Sequence, residues 1–159
     1  MDDLCALIAY DPATGFFRRL DGCRNKTQPE WYGGMWNRNY LTLKILGKTY
    51  QAHRVAWALF HGSWPIMQID HINRIKSDNR IANLRLATGR QNNINSDMHL
   101  NNTSGFRGVV RAGTKWQAQT KMGNRALYLG RYETKEEASA AYCAAIKKLD
   151  GEFFPETKS

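Results

Sequence analysis

Between Tyr40 and His61 the chain changes its hydrophobic period. Tyr40-Leu41-Thr42-Leu43-Lys44-Ile45 alternates as a half-buried strand does, Gly47-Lys48 makes a turn, and Thr49-Tyr50-Gln51-Ala52 begins a returning strand. From His53 to His61 the apolar positions Val55, Ala56, Leu59 and Phe60 recur at helical spacing and stop at Gly62, with Pro65 beyond. The pattern predicts a hairpin followed by a short helix. Upstream, Leu4 to Leu20 reads as a short helical or irregular start, a turn at YDPATG and a strand at FFRRL. Asp21 to Arg38 carries no defensible period and is expected to be loop.

Downstream, Met67-Gln68-Ile69 is strand-like, residues 72–83 form a polar loop, and Leu84-Arg85-Leu86 alternates again. Thr88 with Gln91 is a capping box, so a helix is expected to start there, with Asn92 in its first turns. Residues 98–104 are polar and aperiodic and read as a linker between two domains, 1–97 and 105–159. Three short alternating runs follow, at Phe106–Arg111, Lys115–Thr120 and Arg125–Leu129, which fit an antiparallel meander. A second capping box, Thr134 with Glu137, opens a helix whose Ala138, Ala141, Tyr142, Ala145 and Leu149 share a face before Gly151. That helix should cover one face of the meander and leave basic and aromatic residues on the other.

Charge adds a partner. The 159 residues carry a formal charge of +9, which favours an anionic ligand, nucleic acid above all. No acid lies between Asp97 and Glu133, where Arg107, Arg111, Lys115, Lys121, Arg125 and Arg131 fall, and none between Glu30 and Asp70, where Arg38, Lys44, Lys48 and Arg54 fall. Two basic stretches suggest two contacts with a polyanion. No apolar run approaches the roughly 20 residues of a membrane helix, and the acidic start MDDL does not read as an export signal. Three widely spaced cysteines, Cys5, Cys23 and Cys143, give neither a disulfide framework nor a four-cysteine zinc site and suit a reducing cytoplasm.

The stretch from Met67 to Asn95 holds six asparagines and the pair Asp70-His71. Asparagine side chains compete with the backbone for hydrogen bonds, so the plain reading is a set of turns. The chemical reading starts from phosphodiester cleavage, which needs a divalent ion on the phosphate and a base for the attacking water. Mg²⁺ takes oxygen ligands and keeps waters, so Asp70 with the amide carbonyl of Asn92 can suffice, Asn93 being the rival, and His71 is the natural base. In a continuing strand Asp70 and His71 would face opposite ways, so one site requires the strand to end there.

HRVAWALFHG, IDHI, DNR, NLR and QNN together resemble the HNH endonucleases, in particular the zinc-less phage and intron subgroup of homing type, over most of residues 5–95. The resemblance implies a ββα-metal core at about 67–96 with Asp70 and Asn92 as ligands of Mg²⁺, or of Mn²⁺ in its place, and no structural zinc. It implies His71 as general base and Asn83 as the central asparagine that bridges the loop and helps orient the histidine. His53, Arg54 and Arg80 are placed to contact DNA phosphates, although a packed histidine at a helix start suits His53 equally. SGFRGVV, KWQAQ, LYLGRYETKEEASAAY and KKLDGEFF resemble the APETALA-type domain of ethylene-response factors over about 103–154. That implies DNA contacts from Arg107, Arg111, Trp116, Lys121 and Arg125, with Tyr128 at a position where tryptophan is typical. The expectation is therefore an α+β protein: an HNH nuclease domain, then a three-stranded antiparallel sheet packed on one helix. Such a protein would be a metal-dependent DNA endonuclease with no membrane or obligate protein partner, in the cytoplasm of a bacterial host if phage-encoded. The rival is a non-catalytic DNA-binding regulator with a degenerate HNH domain.

Overall fold

The computed structural model describes residues 6–20, 35–37, 40–98, 101–123 and 125–153. Most of the stretch from Asp21 to Arg38, with Cys23 and Arg38 in it, lies outside those residues, as does Cys5. The chain divides into two compact units, residues 1–92 and 93–159, and is a mixture of small antiparallel sheets and, among the described residues, three helices of more than one turn.

In the first unit β1 (Ile8–Asp11) pairs with β2 (Phe16–Arg19), with Tyr10 opposite Phe17. Ala6 and Leu7 are helical, as the expected helical start has it, but from Ile8 the chain before the YDPATG turn runs as a strand. The reason is tertiary: Ile8 and Phe17 are 2% and 0% exposed, and the Tyr10 and Phe17 rings lie 5.2 Å apart. A sheet of β3 (Met35–Asn37), β4 (Tyr40–Ile45) and β5 (Lys48–Gln51) follows, then α1 (Ala52–His61), stopped by Gly62 as the periodicity predicts. Next come β6 (Gln68–His71), a 3-10 turn (Ile81–Asn83), β7 (Leu84–Ala87) and α2 (Gly89–Asn95). β6 pairs antiparallel with β7 in the register Gln68 to Ala87, Asp70 to Arg85 and His71 to Leu84. The Thr88 box forms, Gln91 N–H donating to Thr88 Oγ1 at 3.2 Å and Thr88 N–H to Gln91 Oε1 at 2.9 Å. One apolar cluster, including Phe17, Leu43, Val55, Ile69 and Leu84, joins the hairpins to α1 and to the β6–β7 pair.

The second unit holds β8 (Val109–Ala112), β9 (Lys115–Met122) and β10 (Arg125–Tyr132), with β9 central, and α3 (Lys135–Asp150) behind a complete Thr134–Glu137 capping box. Its core contains Ile94, Val109, Ala118, Ala138, Tyr142 and Ile146. Ile146 stands in the buried stripe of α3, whereas Leu149, expected there, is 42% exposed. The division between the units falls inside α2, ahead of the expected linker at 98–104. Two contacts explain this: Ile94 belongs to the second core, and the Arg107 guanidinium donates to the carbonyls of Asn93, at 2.7 Å, and Ser96.

Gly108 is the tightest point of that core. It adopts φ +69°, and a Cβ there would lie 2.2 Å from ring carbons of Tyr142 and 2.6 Å from the Gln119 carbonyl oxygen. Gly108→Ala is expected to destabilise the second unit by about 2–4 kcal/mol, from backbone strain and overpacking together. Hydrogen exchange of the β9 amides measures it.

Candidate active site

β6 ends on His71. The next amide, Ile72 N–H, donates to the Asn83 carbonyl at 2.9 Å, and Arg74 N–H turns back to the His71 carbonyl at 2.9 Å. β6 thus keeps both Asp70 and His71 in its ladder, opposite Arg85 and Leu84, and ends on the second of them. The loop beyond it is built from amide and carboxylate bonds. Asn83 Oδ1 accepts from Asn73 N–H at 2.9 Å, Asn83 Nδ2 donates to the Asp78 carbonyl at 2.8 Å, and Asn73 Nδ2 donates to Asp78 Oδ2 at 2.6 Å. Arg80 forks onto the same carboxylate at 2.8 and 2.6 Å, and its hydrogen bonds hold the Asp78 pKa down at about 2. Asn83 therefore bonds across the loop, and Arg80 faces Asp78 within it.

The residue at the histidine is a different asparagine. His71 Nε2 lies 3.3 Å from Oδ1 of Asn79, which is 1% exposed. When Nε2 carries the proton, the carboxamide oxygen accepts from it, and the lone pair then lies on Nδ1. The His71 ring packs edge-on against His53 with centroids 5.2 Å apart, and Tyr40 lies 5.2 Å from His53 and 6.4 Å from His71. Burial lowers the His71 pKa, with Asn79 and Asp70 opposing, so the imidazole is neutral at physiological pH and able to accept a proton. His53 is held down at about 3, chiefly by burial, then by His71 and Arg54. At 5% exposure, on the buried side of α1, His53 is a wall of this site and not a phosphate contact.

Asp70 is 4% exposed, and its Oδ2 accepts from Arg85 Nε and Nη2, both at 2.9 Å, across the β6–β7 pair. Asn92 donates from Nδ2 to Gln68 Oε1 at 2.9 Å. Gln68 and Asp70 alternate onto one face of β6, so this bond brings Asn92 to the face of Asp70. Asn93, the rival amide, is exposed. A buried carboxylate with an amide carbonyl is an all-oxygen donor pair, and that chemistry fits a hard divalent cation that keeps waters and takes further oxygens from a phosphate. Among the described residues no three His, Cys, Asp or Glu side chains gather as a metal cluster.

The remaining candidates divide. Arg54 donates to the carbonyls of Pro65 and Met67, at 3.1 and 3.4 Å, and so braces the entry to β6. In the second unit Val109 and Ala118 mark the sheet face that packs on α3. Alternation and the pairings Arg111 to Trp116 and Arg125 to Met122 put those four residues on that face too. Trp116 packs against the core, with the Arg111 guanidinium 5.7 Å from its ring centroid. Arg107 is turned to the carbonyls after α2. Of the five expected DNA contacts, Lys121 lies on the open face, which also carries Lys115, Gln117, Gln119, Tyr128 and Arg131. Gln117 Nε2 donates to Gln119 Oε1 at 3.2 Å along it. Sequence reasoning named Lys121, and placed Lys115 and Arg131 in a basic stretch, but did not assign Gln117 and Gln119 to this face, which counting by twos from a buried Ala118 would have done. Among the site residues it missed Asn79, Tyr40, Gln68 and Arg85; Arg85 follows once Asp70 is paired in register, whereas Tyr40 has no local signal.

Comparison with known proteins points to one family. A family model described as HNH endonuclease matches residues 50–94. An uncharacterized HNH endonuclease of Acanthamoeba polyphaga mimivirus is 30% identical over 149 residues, 92% of this chain and 76% of that one. No solved structure matches.

A buried neutral histidine ties stability to pH. The unfolded chain protonates His53 below about 6.5 while the folded chain does not until about 3. The contribution is therefore complete above 6.5 and is lost progressively as pH falls from 6.5 toward 3. His53→Gln is expected to flatten the stability–pH curve in this window by about 1.4 kcal/mol per pH unit relative to wild type, as read by urea unfolding at stepped pH.

Proposed function

Because the chain belongs to the HNH endonuclease family, we propose that it hydrolyses DNA phosphodiesters with a divalent metal at Asp70 and His71 and is held on its substrate by the open sheet face of the second unit. The observation that carries the reading is the end of β6: a neutral, buried imidazole next to a buried carboxylate, with the Asn92 amide on the carboxylate's face.

In this mechanism His71 takes the proton of the attacking water, while the contact of its Nε2 with Asn79 fixes the ring. Asp70 and Asn92 would hold the metal, which supplies charge neutralisation at the phosphate and at the leaving oxygen. Arg85 balances the Asp70 charge and fixes the carboxylate from one side. His53 and Tyr40 exclude water behind the base. The family supports nuclease chemistry on DNA; the metal dependence, its identity as Mg²⁺ or Mn²⁺, and the targeting role of an APETALA-type unit are the proposal. For the last, the support is the open face itself, where Lys115, Lys121 and Arg131 surround Gln117, Gln119 and Tyr128 on a sheet able to enter a major groove.

Supercoiled plasmid incubated with Mg²⁺ or Mn²⁺ tests the chemistry. Nicking is expected, abolished by EDTA and reduced about 10²–10⁴-fold by His71→Ala, with DNA binding retained; nicking that survives both treatments sinks the proposal. For the interface, Lys121→Gln with Arg131→Gln should lower the slope of log affinity against log salt by about 2, whereas Arg111→Gln should leave the slope nearly unchanged. A slope set by Arg111 in place of Lys121 and Arg131 would put the DNA on the other face.

A further inference from the structure

We propose that the β1–β2 hairpin, which lies outside the family match at 50–94, is a positioning element of the active site that acts on His71 through Asn79. It rests on His71 being the base that activates water.

Three consecutive residues of the active-site loop are held by this hairpin. Tyr10 Oη donates to the Asn79 carbonyl at 2.7 Å, and Ile81 N–H donates to the Pro12 carbonyl at 3.1 Å. Between them Gly15, at φ +76°, lies so close that a Cβ would meet the Arg80 nitrogen at 2.6 Å and the Asn79 carbonyl carbon at 2.7 Å. The hairpin thus sets where the Asn79 backbone stands, and its side chain carries that position to His71 Nε2. At 3.3 Å this contact is near the outer edge of hydrogen bonding, so a displacement of a few tenths of an ångström in Asn79 breaks it.

Two further observations point the same way. Among the described residues Asn79 Nδ2 is buried without a hydrogen-bond partner, a cost that a residue kept only for packing would not carry. The amide is retained for what its oxygen does. Burial, with Asp11 and Asp78 nearby, also raises the Tyr10 pKa, so its hydroxyl keeps the proton that it donates to Asn79 throughout the working pH range. Asn79 is fixed from both ends, by the hairpin on its carbonyl and by the imidazole on its side chain. The hairpin is fixed in turn by Phe17 and Ile8 in the main core.

The test uses the full-length protein and Tyr10→Phe, which removes one hydroxyl and keeps the ring beside Phe17. In plasmid nicking, kcat is expected to fall about 5–20-fold with KM changed less than twofold. In long-range proton–nitrogen correlation spectra at pH 8, His71 is expected in the Nε2–H form in wild type and in a mixture of tautomers in Tyr10→Phe, with His61 unmoved. Gly15→Ala, which leaves the hydroxyl in place and displaces the 79–80 backbone, should give the same change of tautomer. Unchanged His71 resonances and unchanged kcat in Tyr10→Phe, with only a lower melting temperature, would make the hairpin a structural brace and overturn the proposal. If wild type fails to cut DNA in any metal, the general-base reading fails on its own, and the tautomer of His71 still decides whether the hairpin positions it.

Discussion

A carboxylate and an imidazole, both about nineteen-twentieths buried, sit side by side at the last two positions of one strand. Two ionisable groups can be held so far from water only if their charges are answered, and the rest of the first unit is arranged to do that. Arg85, directly across the β-ladder, answers the Asp70 carboxylate by placing a fork on its Oδ2. His71 takes the other route and stays neutral, its apolar surroundings outweighing the pull of Asp70. The same burial that makes the pair costly also makes it useful, since a neutral imidazole accepts a proton and a carboxylate in low dielectric attracts a cation strongly.

That constraint explains the asparagines. A strand that stops at His71 leaves a loop whose backbone groups need partners. Amides satisfy donors and acceptors without adding charge. Asn73 and Asn83 close the loop on itself, Asn79 fixes the imidazole, and Asn92 returns from α2 to Gln68. Of the charged residues in the loop, which include Arg74 and Lys76, Asp78 and Arg80 form an internally neutral pair that points its bonds back at the loop.

Most elements with a local signature could be read in the sequence. The β4–β5 hairpin, the stop of α1 at Gly62, both capping boxes and the strand end after His71 each depend on neighbours a few residues apart. What escaped depended on tertiary contact. Ile8–Asp11 has little strand pattern of its own and becomes β1 because Phe17 needs a buried partner face. Asn79 and Asn83 are both loop asparagines four residues apart, and only the three-dimensional course of the loop decides which one meets the histidine. In the second unit the parity of β9 was the missing fact. Trp116 carries the residue type of a DNA contact, but it shares a face with Ala118, which is 0% exposed beneath α3.

Packing also decides how firmly the site is held. Ile69 and Leu84, each 6% exposed, belong to the cluster that contains Phe17, Leu43 and Val55, and they flank Asp70 and His71 along the β6–β7 ladder. Each such side chain contributes about 1.5–3 kcal/mol when buried, against roughly 1 kcal/mol for a net hydrogen bond. The apolar side chains therefore hold the ladder in place, and the polar bonds around Asp70 and His71 act as small corrections that set distance and angle. Removing one of those polar bonds should change chemistry before it changes folding, whereas truncating a core residue beneath the site should do both. This ordering of energies is why a hairpin remote in sequence can tune a histidine: it is anchored by Phe17 and Ile8, and it commits one hydroxyl, one carbonyl and one close glycine approach to the loop that it adjusts.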